Sequence, residues 1–589
     1  VRAVRALYVV AAVTAWLPGL VGVHVSAEPV PSQEATAGPG GVAMNIYGDR
    51  NVVSVSLADP QVKAIVDRLT ITSTRIQKRQ KGQDNRLSEL GRQMDNVTQA
   101  VASIVAESRQ PHADNFTLET VSLLSAGRVE SAQKVLKARE DAVLKSADHR
   151  PSDGSTPRQR AAELALDQAA LASLSDTQTA IEAYKRASQY EPDNPWTLLK
   201  LGDLQMDAGR PSDALDTFEK AKTIARQQRS PTSRAGVHEH ELSAALLRTG
   251  DAMSTLGEND RALEQYHEGL KASDRFDDAS PDFTGLLWAR AALHQRIGDA
   301  YVTRGDGDHA LSEYDRSVQI RKRIVAARPS NVPLALGLAS AHQKIGELFT
   351  KQRKYKDAFQ AFTEAESALP ASTEADLDAV NNRRGRIYER WGVAKYESGD
   401  LAGARESYLK ALSIQKSLVA KDGENAEWQR ELASTHIRIG DLEMRQRRLE
   451  KAEANYTVAR LIYTDLAKID PKNKDFKRLL AISERKVGVA LSGRKESERA
   501  LEPLHRSIQL SEELIRETPT NAEWRADLAI TYWRLGSVAR GQSIEDRMKY
   551  LKMSIEIFNY LESKGQLWPS EKNFADQASD ELEKLRASR

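Results

Sequence analysis

The chain has no cysteine among its 589 residues. That excludes disulfides and cysteine nucleophiles and removes the thiolates on which most structural zinc sites depend. An absence of cysteine also fits an oxidising compartment. Charge of one sign is missing too: 85 lysines and arginines face 83 aspartates and glutamates, a formal net charge of +2. Such a balance supplies no bulk field for a nucleic-acid partner. No Gly-rich loop ends in Gly-Lys-Ser or Gly-Lys-Thr, and no Gly-x-Ser-x-Gly elbow occurs, so the usual phosphate-cradling and nucleophile motifs are absent. His238-Glu-His-Glu241 is the one His-rich spot. Two histidines two apart on a helix point to different faces and do not share a metal. His342, His436 and His505 are read as solvated or interface residues with no common setting. The expectation is a non-enzyme without metal or cofactor.

What the chain has is a phrase that returns. Gly202, Gly250, Gly298, Gly346, Gly392, Gly440, Gly488 and Gly536 follow one another at 48 residues, with one step of 46. Twelve residues after each glycine stands Ala214, Ala262, Ala310, Ala358, Ala404, Ala452 or Ala500, with Met548 in the last unit. Four residues further comes Phe218, Tyr266, Tyr314, Phe362, Tyr408, Tyr456 or Leu504. A fixed period of this size marks a solenoid whose units stack only on their neighbours.

This pattern resembles the tetratricopeptide repeat family, in a bacterial version with an extended repeat. The likeness rests on the Leu-Gly pair, the small residue, the aromatic and Pro-x-Asn before the next unit. It implies an all-α, right-handed solenoid of antiparallel helix pairs, with close helix approach at the glycine, a crossing at the small residue and the aromatic filling the gap. It spans residues 112–568. Ala180 to Ala214 is 34 residues, the family's minimal length. The other units are longer, and their helical periodicity places the excess in both helices, about seven residues or ~10 Å each. Proline and asparagine in turns such as Pro192-Asp-Asn-Pro195, Pro329-Ser-Asn331 and Pro519-Thr-Asn521 stop one helix and cap the next. Trp196, Trp428 and Trp524 follow these turns and read as packing residues; Trp288 and Trp533 do not share that setting.

Before the array, Arg2 and Arg5 precede an apolar run from Leu7 to Leu17, then Pro18, Gly19 and the small residues Val25-Ser26-Ala27. This reads as a secretory signal peptide over residues 1–27; the alternative is an uncleaved anchor to the inner membrane, since Leu7 to Val25 is near spanning length. Export to the periplasm or beyond is expected. Residues 28–57 form a linker with a hairpin pattern around Tyr47-Gly-Asp-Arg-Asn51. In the helical segment 58–110, Val62, Ile65, Leu69, Thr72 and Ile76, and then Leu87, Leu90, Met94, Val97, Val101 and Ile104, follow heptad-like spacing with one stutter. Two readings stay open: a coiled coil forming a homo-oligomer through residues 62–104, or an amphipathic helix lying on its own solenoid. Residues 569–589 form a capping helix with Phe574, Ala578, Leu582 and Leu585 on one face.

One charged pattern runs inside the repeat. The residue two before each glycine is always basic: Lys200, Arg248, Arg296, Lys344, Arg390, Arg438, Lys486 and Arg534. The residue after the glycine is acidic in five units: Asp203, Asp251, Asp299, Glu347 and Asp441. The two positions are three apart on one helix face. They form either a ladder of ion pairs between units or a peptide groove. Arg390, Lys486 and Arg534 lack an acid at the matched position of their own unit and are the candidate partner-binding residues. Some members of the family hold a partner's terminal carboxylate with lysine and asparagine, but no asparagine stands after any of these glycines. The expected function is an exported protein–protein interaction scaffold for a protein or peptide partner. The alternative is a binding module for a nonprotein envelope ligand, polysaccharide or anionic lipid. The basic runs Lys351–Lys356 and Arg445–Arg448 lie on an exposed rim that suits a membrane surface or a polyanion, although membrane contact is not the expectation apart from an N-terminal anchor.

Overall fold

The computed structural model describes residues 59–587 apart from 67, 70–86, 112, 146–155, 175, 229–236, 274–283, 371–376, 424, 470, 472, 519–520, 539–540 and 565–568. The signal segment, the linker with its hairpin pattern and the polar middle of segment 58–110 lie outside the described residues.

Among those residues, α1 (Leu87–Ser108) leads into ten helix pairs. They are α2 (Asn115–Ser125) with α3 (Val129–Lys145), α4 (Pro157–Ala172) with α5 (Thr177–Tyr190), and α6 (Pro195–Asp207) with α7 (Pro211–Gln228). Next come α8 (Val237–Thr255) with α9 (Asn259–Ala272), α10 (Thr284–Thr303) with α11 (Gly307–Ala327), and α12 (Val332–Lys351) with α13 (Tyr355–Ser367). The last four are α14 (Leu377–Ser398) with α15 (Leu401–Lys421), α16 (Ala426–Arg445) with α17 (Leu449–Ile469), α18 (Lys474–Gly493) with α19 (Ser497–Glu517), and α20 (Ala522–Gly536) with α21 (Ile544–Ser563). Each helix packs on the one before and the one after it. α22 (Pro569–Ala587) closes the array, with Ala578 and Leu582 buried against Trp533, Met548 and Phe558. No strand occurs among the described residues.

Local chemistry sets the helix ends. Asn194, Asn331, Asn425, Asn473 and Asn521 each accept a backbone N–H from the first turn of the helix that follows, at 2.9–3.1 Å, as N-caps do. Just behind these caps Trp196 and Trp524 are buried and Trp428 is half-buried. In nine of the ten pairs, the turn between first and second helix uses a residue with positive φ: Gly127, Gly209, Gly257, Gly305, Gly399 and Gly541, but Arg353, Arg447 and Lys495 in three others. The left-handed region costs a residue with a Cβ ~1–2 kcal/mol, which glycine avoids. In several later units the excess length lies in both helices, as in α14 with 22 residues and α15 with 21 against 14 in α5 and 13 in α6, but the second helices α9 and α13 stay short, at 14 and 13 residues.

The core is a string of small clusters, each shared by neighbouring units. Ala214, Ala310, Ala358, Ala404, Ala452 and Ala500 are sealed from solvent, and each repeat glycine from Gly202 to Gly488 lies against the residue sixteen positions on, while Gly536 lies against Leu551. A Cβ at Gly298 would stand 2.5 Å from Tyr314 Cε1, closer than real side-chain contacts. The seam residues before the array turn inward: Val62, Ile65, Leu69, Val97, Val101 and Ile104 are buried in one cluster with Leu124, Leu136, Leu164 and Leu171. Arg109 at the end of the α1 segment meets Asp59 at the start of the earlier stretch at 2.5 Å. The side chains of Val62, Ile65, Leu69, Val97, Val101 and Ile104 are thus occupied within one chain, and the stretches that carry them pack on their own solenoid. Of the remaining seam positions, Thr72 and Ile76 lie outside the described residues.

Gly298→Ala is expected to destabilise the array by ~1–3 kcal/mol through overpacking against Tyr314. Urea titration, with hydrogen exchange localised to α10 and α11, checks this.

Candidate functional site

The ladder is built one unit out of step with the sequence spacing. Arg248 Nε lies 2.8 Å from Asp203, Arg296 Nε 2.7 Å from Asp251, and Lys344 Nζ 3.0 Å from Asp299. Arg390 reaches Glu347 at 3.4 Å and Lys486 reaches Asp441 at 2.5 Å. Each base therefore pairs chiefly with the acid of the preceding unit; Arg296 also comes within 3.9 Å of Asp299 in its own unit. The second helix adds a further contact. Tyr266, Tyr314 and Tyr456 lie against their unit's glycine and donate their hydroxyls to Asp251, Asp299 and Asp441 at 2.8, 2.6 and 2.6 Å. One carboxylate thus joins the two helices of its own unit to the first helix of the next. Burial, with the carboxylate alongside, pushes all three phenols far up, so they remain donors.

This register relocates the cations that lack an acid. Arg390 and Lys486, chosen because Val393 and Val489 follow their own glycines, already hold acids from the unit before. The gaps fall one unit later. Val393 leaves Arg438 without its usual partner, and the buried Glu389 substitutes at 3.2 Å. Val489 leaves Arg534 without one, and the residue in the register of Glu389 is a cation, Arg485. Arg485 is engaged by Asp527 at 3.2 Å. Arg534 rests over the Trp533 ring at 3.8 Å, with no ion pair within 4 Å among the described residues. Burial, with Arg485 alongside, pushes its guanidinium down to about 10. Arg383 on α14 is a second such cation, pushed down to about 10 by burial and Arg386. Sequence spacing did not single it out, because it falls outside the basic and acidic positions of the ladder.

The histidines share a register that the sequence reading overlooked. His294, His342 and His436 each stand four before their glycine and are buried. They face Glu313 at 2.6 Å, Glu364 at 3.0 Å and Asn455 at 2.9 Å. His240 is buried against the Trp196 ring, with centroids 4.9 Å apart, and desolvation with Arg248 nearby drives its pKa down to about 3. Burial also lowers those of His342 and His436. Among the described residues no group of three histidines or carboxylates is placed to hold a metal.

Tyr314→Phe is expected to cost ~1–2 kcal/mol, because the hydroxyl donates to a charged acceptor. A double-mutant cycle with Asp299→Asn should show the two coupled. A second expectation concerns pH. The folded pKa of His240 lies below its unfolded value, so the unfolded chain binds the extra proton. Stability present above ~6.5 should therefore fall by up to ~1.4 kcal/mol per pH unit as pH drops toward the folded value. Melting curves between neutral pH and pH ~4.5 check this, and His240→Leu should flatten them.

A family model described as tetratricopeptide repeat matches residues 171–230. No curated protein matches significantly. Among solved structures, the chain is similar to the apo form of RapI (12% identity, 67% of this chain and 97% of that one, TM-score 0.42). It is similar to a Rap protein complexed with competence and sporulation factor (12% identity, 67% and 99%, TM-score 0.36). It is also similar to a tetratricopeptide repeat protein from Parabacteroides merdae (18% identity, 55% and 98%, TM-score 0.33). The matched segment, residues 171–230, is a tetratricopeptide repeat stretch that includes Ala180, Gly202, Ala214 and Phe218, and its contact of an aromatic ring on a glycine returns in five later units.

Proposed function

We propose that this chain is an exported scaffold that binds a protein or peptide partner along its first helices, without catalysis of its own. Repeat solenoids of this family are in general noncatalytic interaction surfaces. The observation that carries the reading is the exception in the ladder. Along most of the array each first-helix cation is neutralised by the unit before it. At Arg534 the acid is replaced by Val489, and Arg485 stands nearby. A half-desolvated guanidinium that Glu581 of the capping helix attracts without an ion-pair contact favours a partner that brings a carboxylate, since charge-assisted hydrogen bonds are the strong ones. Among Arg390, Lys486 and Arg534, only Arg534 lacks an acid from the preceding unit, and it is the residue assigned to partner binding. Export is supported by the two arginines, the apolar run and the small residues at 25–27 of the sequence. The reading as a nonprotein-ligand module rests on a different edge of the molecule.

A panel of fluorescent peptides differing in the number and position of acidic residues, titrated against the full chain, tests the anchor. Arg534→Gln should weaken acidic peptides at least ~10-fold, the scale of one desolvated charge pair, with unchanged helicity. Arg390→Gln and Lys486→Gln should chiefly lower the melting temperature. Equal affinity for wild type and Arg534→Gln overturns the anchor. A mature N-terminus at Glu28 by mass spectrometry supports export with cleavage; an intact one in the membrane fraction supports the anchored alternative.

A further inference from the structure

The turn between first and second helix divides the array. Gly209, Gly257, Gly305 and Gly399 fill its left-handed position in four inner units, as Gly127 and Gly541 do in the first and last pairs; Arg353 (φ 59°), Arg447 (φ 55°) and Lys495 (φ 66°) fill it in three. The three residues that adopt this conformation in spite of a Cβ are all cations. Their surroundings change sign with them. The glycine turns carry Asp207 and Asp213, Glu258 and Asp260, Asp306 and Asp308, and Glu397 and Asp400. The other turns carry Lys351, Lys354 and Lys356 against Asp357, then Arg445, Arg448 and Lys451 against Glu450, then Arg494 and Arg499 against Glu496 and Glu498, so with the left-handed cation each is net basic. Some of these cations are spent inside the chain: Arg448, Arg494 and Arg499 pair with Glu443, Glu453 and Glu496. Seven are not. Lys351, Arg353, Lys354, Lys356, Arg447, Lys451 and Lys495 are exposed and have no ion pair within 4 Å among the described residues.

All these turns occupy the same junction of their units, so they share one edge of the solenoid. Neighbouring first helices pack directly on one another, so with packed helices 8–10 Å apart the three unit steps from Arg353 to Lys495 cover about 25–30 Å. A ligand for all of them is therefore extended. In the three cationic turns the only aromatic is Tyr355, which is half-buried, so the edge offers no platform for bases. The acidic turn with Glu397 and Asp400 interrupts the cations. A polyanion with evenly fixed charges laid along the edge would meet those carboxylates. A fluid lipid surface, whose charges diffuse, gathers them under the basic turns and leaves the acidic turn over neutral lipid.

We propose that the edge formed by the turns at Arg353, Arg447 and Lys495 docks on an anionic phospholipid bilayer. Docking holds the solenoid by its rim and leaves the first-helix face with Arg534 open. It does not depend on the partner reading, because the two surfaces share no residue.

The test is sedimentation of the full chain with phosphatidylcholine vesicles, with and without about one third phosphatidylglycerol. The neutral vesicles report whatever the N-terminal apolar run contributes. The added anionic lipid should strengthen binding, and salt should weaken it. Arg353→Gly, Arg447→Gly and Lys495→Gly together remove three cations and relieve three left-handed residues, so the variant should melt no lower than wild type. Its partition onto anionic vesicles should fall about 100-fold, since each cation near such a surface is worth about fivefold. Removing the ion-paired cations Arg210, Arg261 and Arg304 as glutamines on the glycine turns should leave partition within about twofold. Equal partition of wild type and the glycine variant overturns the proposal. So does equal loss in the glutamine variant, which would make the effect one of net charge. Tighter binding to a single-stranded oligonucleotide or heparin than to anionic vesicles also overturns it.

Discussion

A ring lying flat against a bare Cα is the contact on which the array depends. The ring of Tyr314 occupies the place a side chain at Gly298 would take, and only that close approach brings its hydroxyl within 2.6 Å of Asp299. The carboxylate, held from below, then receives Lys344 of the next unit. Close packing fixes a hydrogen bond, which fixes an ion pair, which fixes the phase of the following unit. Exposed ion pairs taken singly contribute ~0.2–1 kcal/mol. Here they repeat on top of a packed contact, so their role is to select one angle between units more than to supply binding energy.

Units lacking parts of this joint show what each part does. Phe218 and Phe362 keep the ring and lose the hydroxyl, and Asp203 and Glu347 still receive the next cation. Tyr408 keeps the ring, but Val393 removes the acid, and the buried Glu389 takes over Arg438 from elsewhere on the same helix. At Leu504 and Val489 ring, hydroxyl and acid are all gone, and the next cation is left to a tryptophan face. Fully locked joints, at Tyr266, Tyr314 and Tyr456, thus alternate with partial ones, and the joint that follows Tyr456, at Leu504, is the most stripped.

Much of this was legible in the chain. The period, the glycine, the small residue and the asparagine caps are strict local demands, and each is met by one or two residue types. The direction of the ladder was not legible. A base two before a glycine and an acid one after it are three apart in their own helix and 45 apart across units, and spacing along one helix favours the near pair. The packed geometry favours the far one, because a tyrosine already holds the acid toward the neighbour. The co-occurrence of Tyr266, Tyr314 and Tyr456 with aspartate was present in the sequence and is the signal that would have shown it. The shared register of His294, His342 and His436 was likewise countable. The fate of Val62 and Val101 was not, since a seam that joins two chains and one that fills a chain's own core have the same periodicity.

The ladder has a sense: acid points forward, base points back. Severing the solenoid between any two locked units would therefore leave unlike ends, an acidic face on the upstream piece and a basic face on the downstream one. Such pieces carry instructions for rejoining in the original order and repel alternatives that bring like faces together. A linear molecule built this way has polarity in the sense that a filament does, and its order of assembly is written in its joints as well as in its covalent chain.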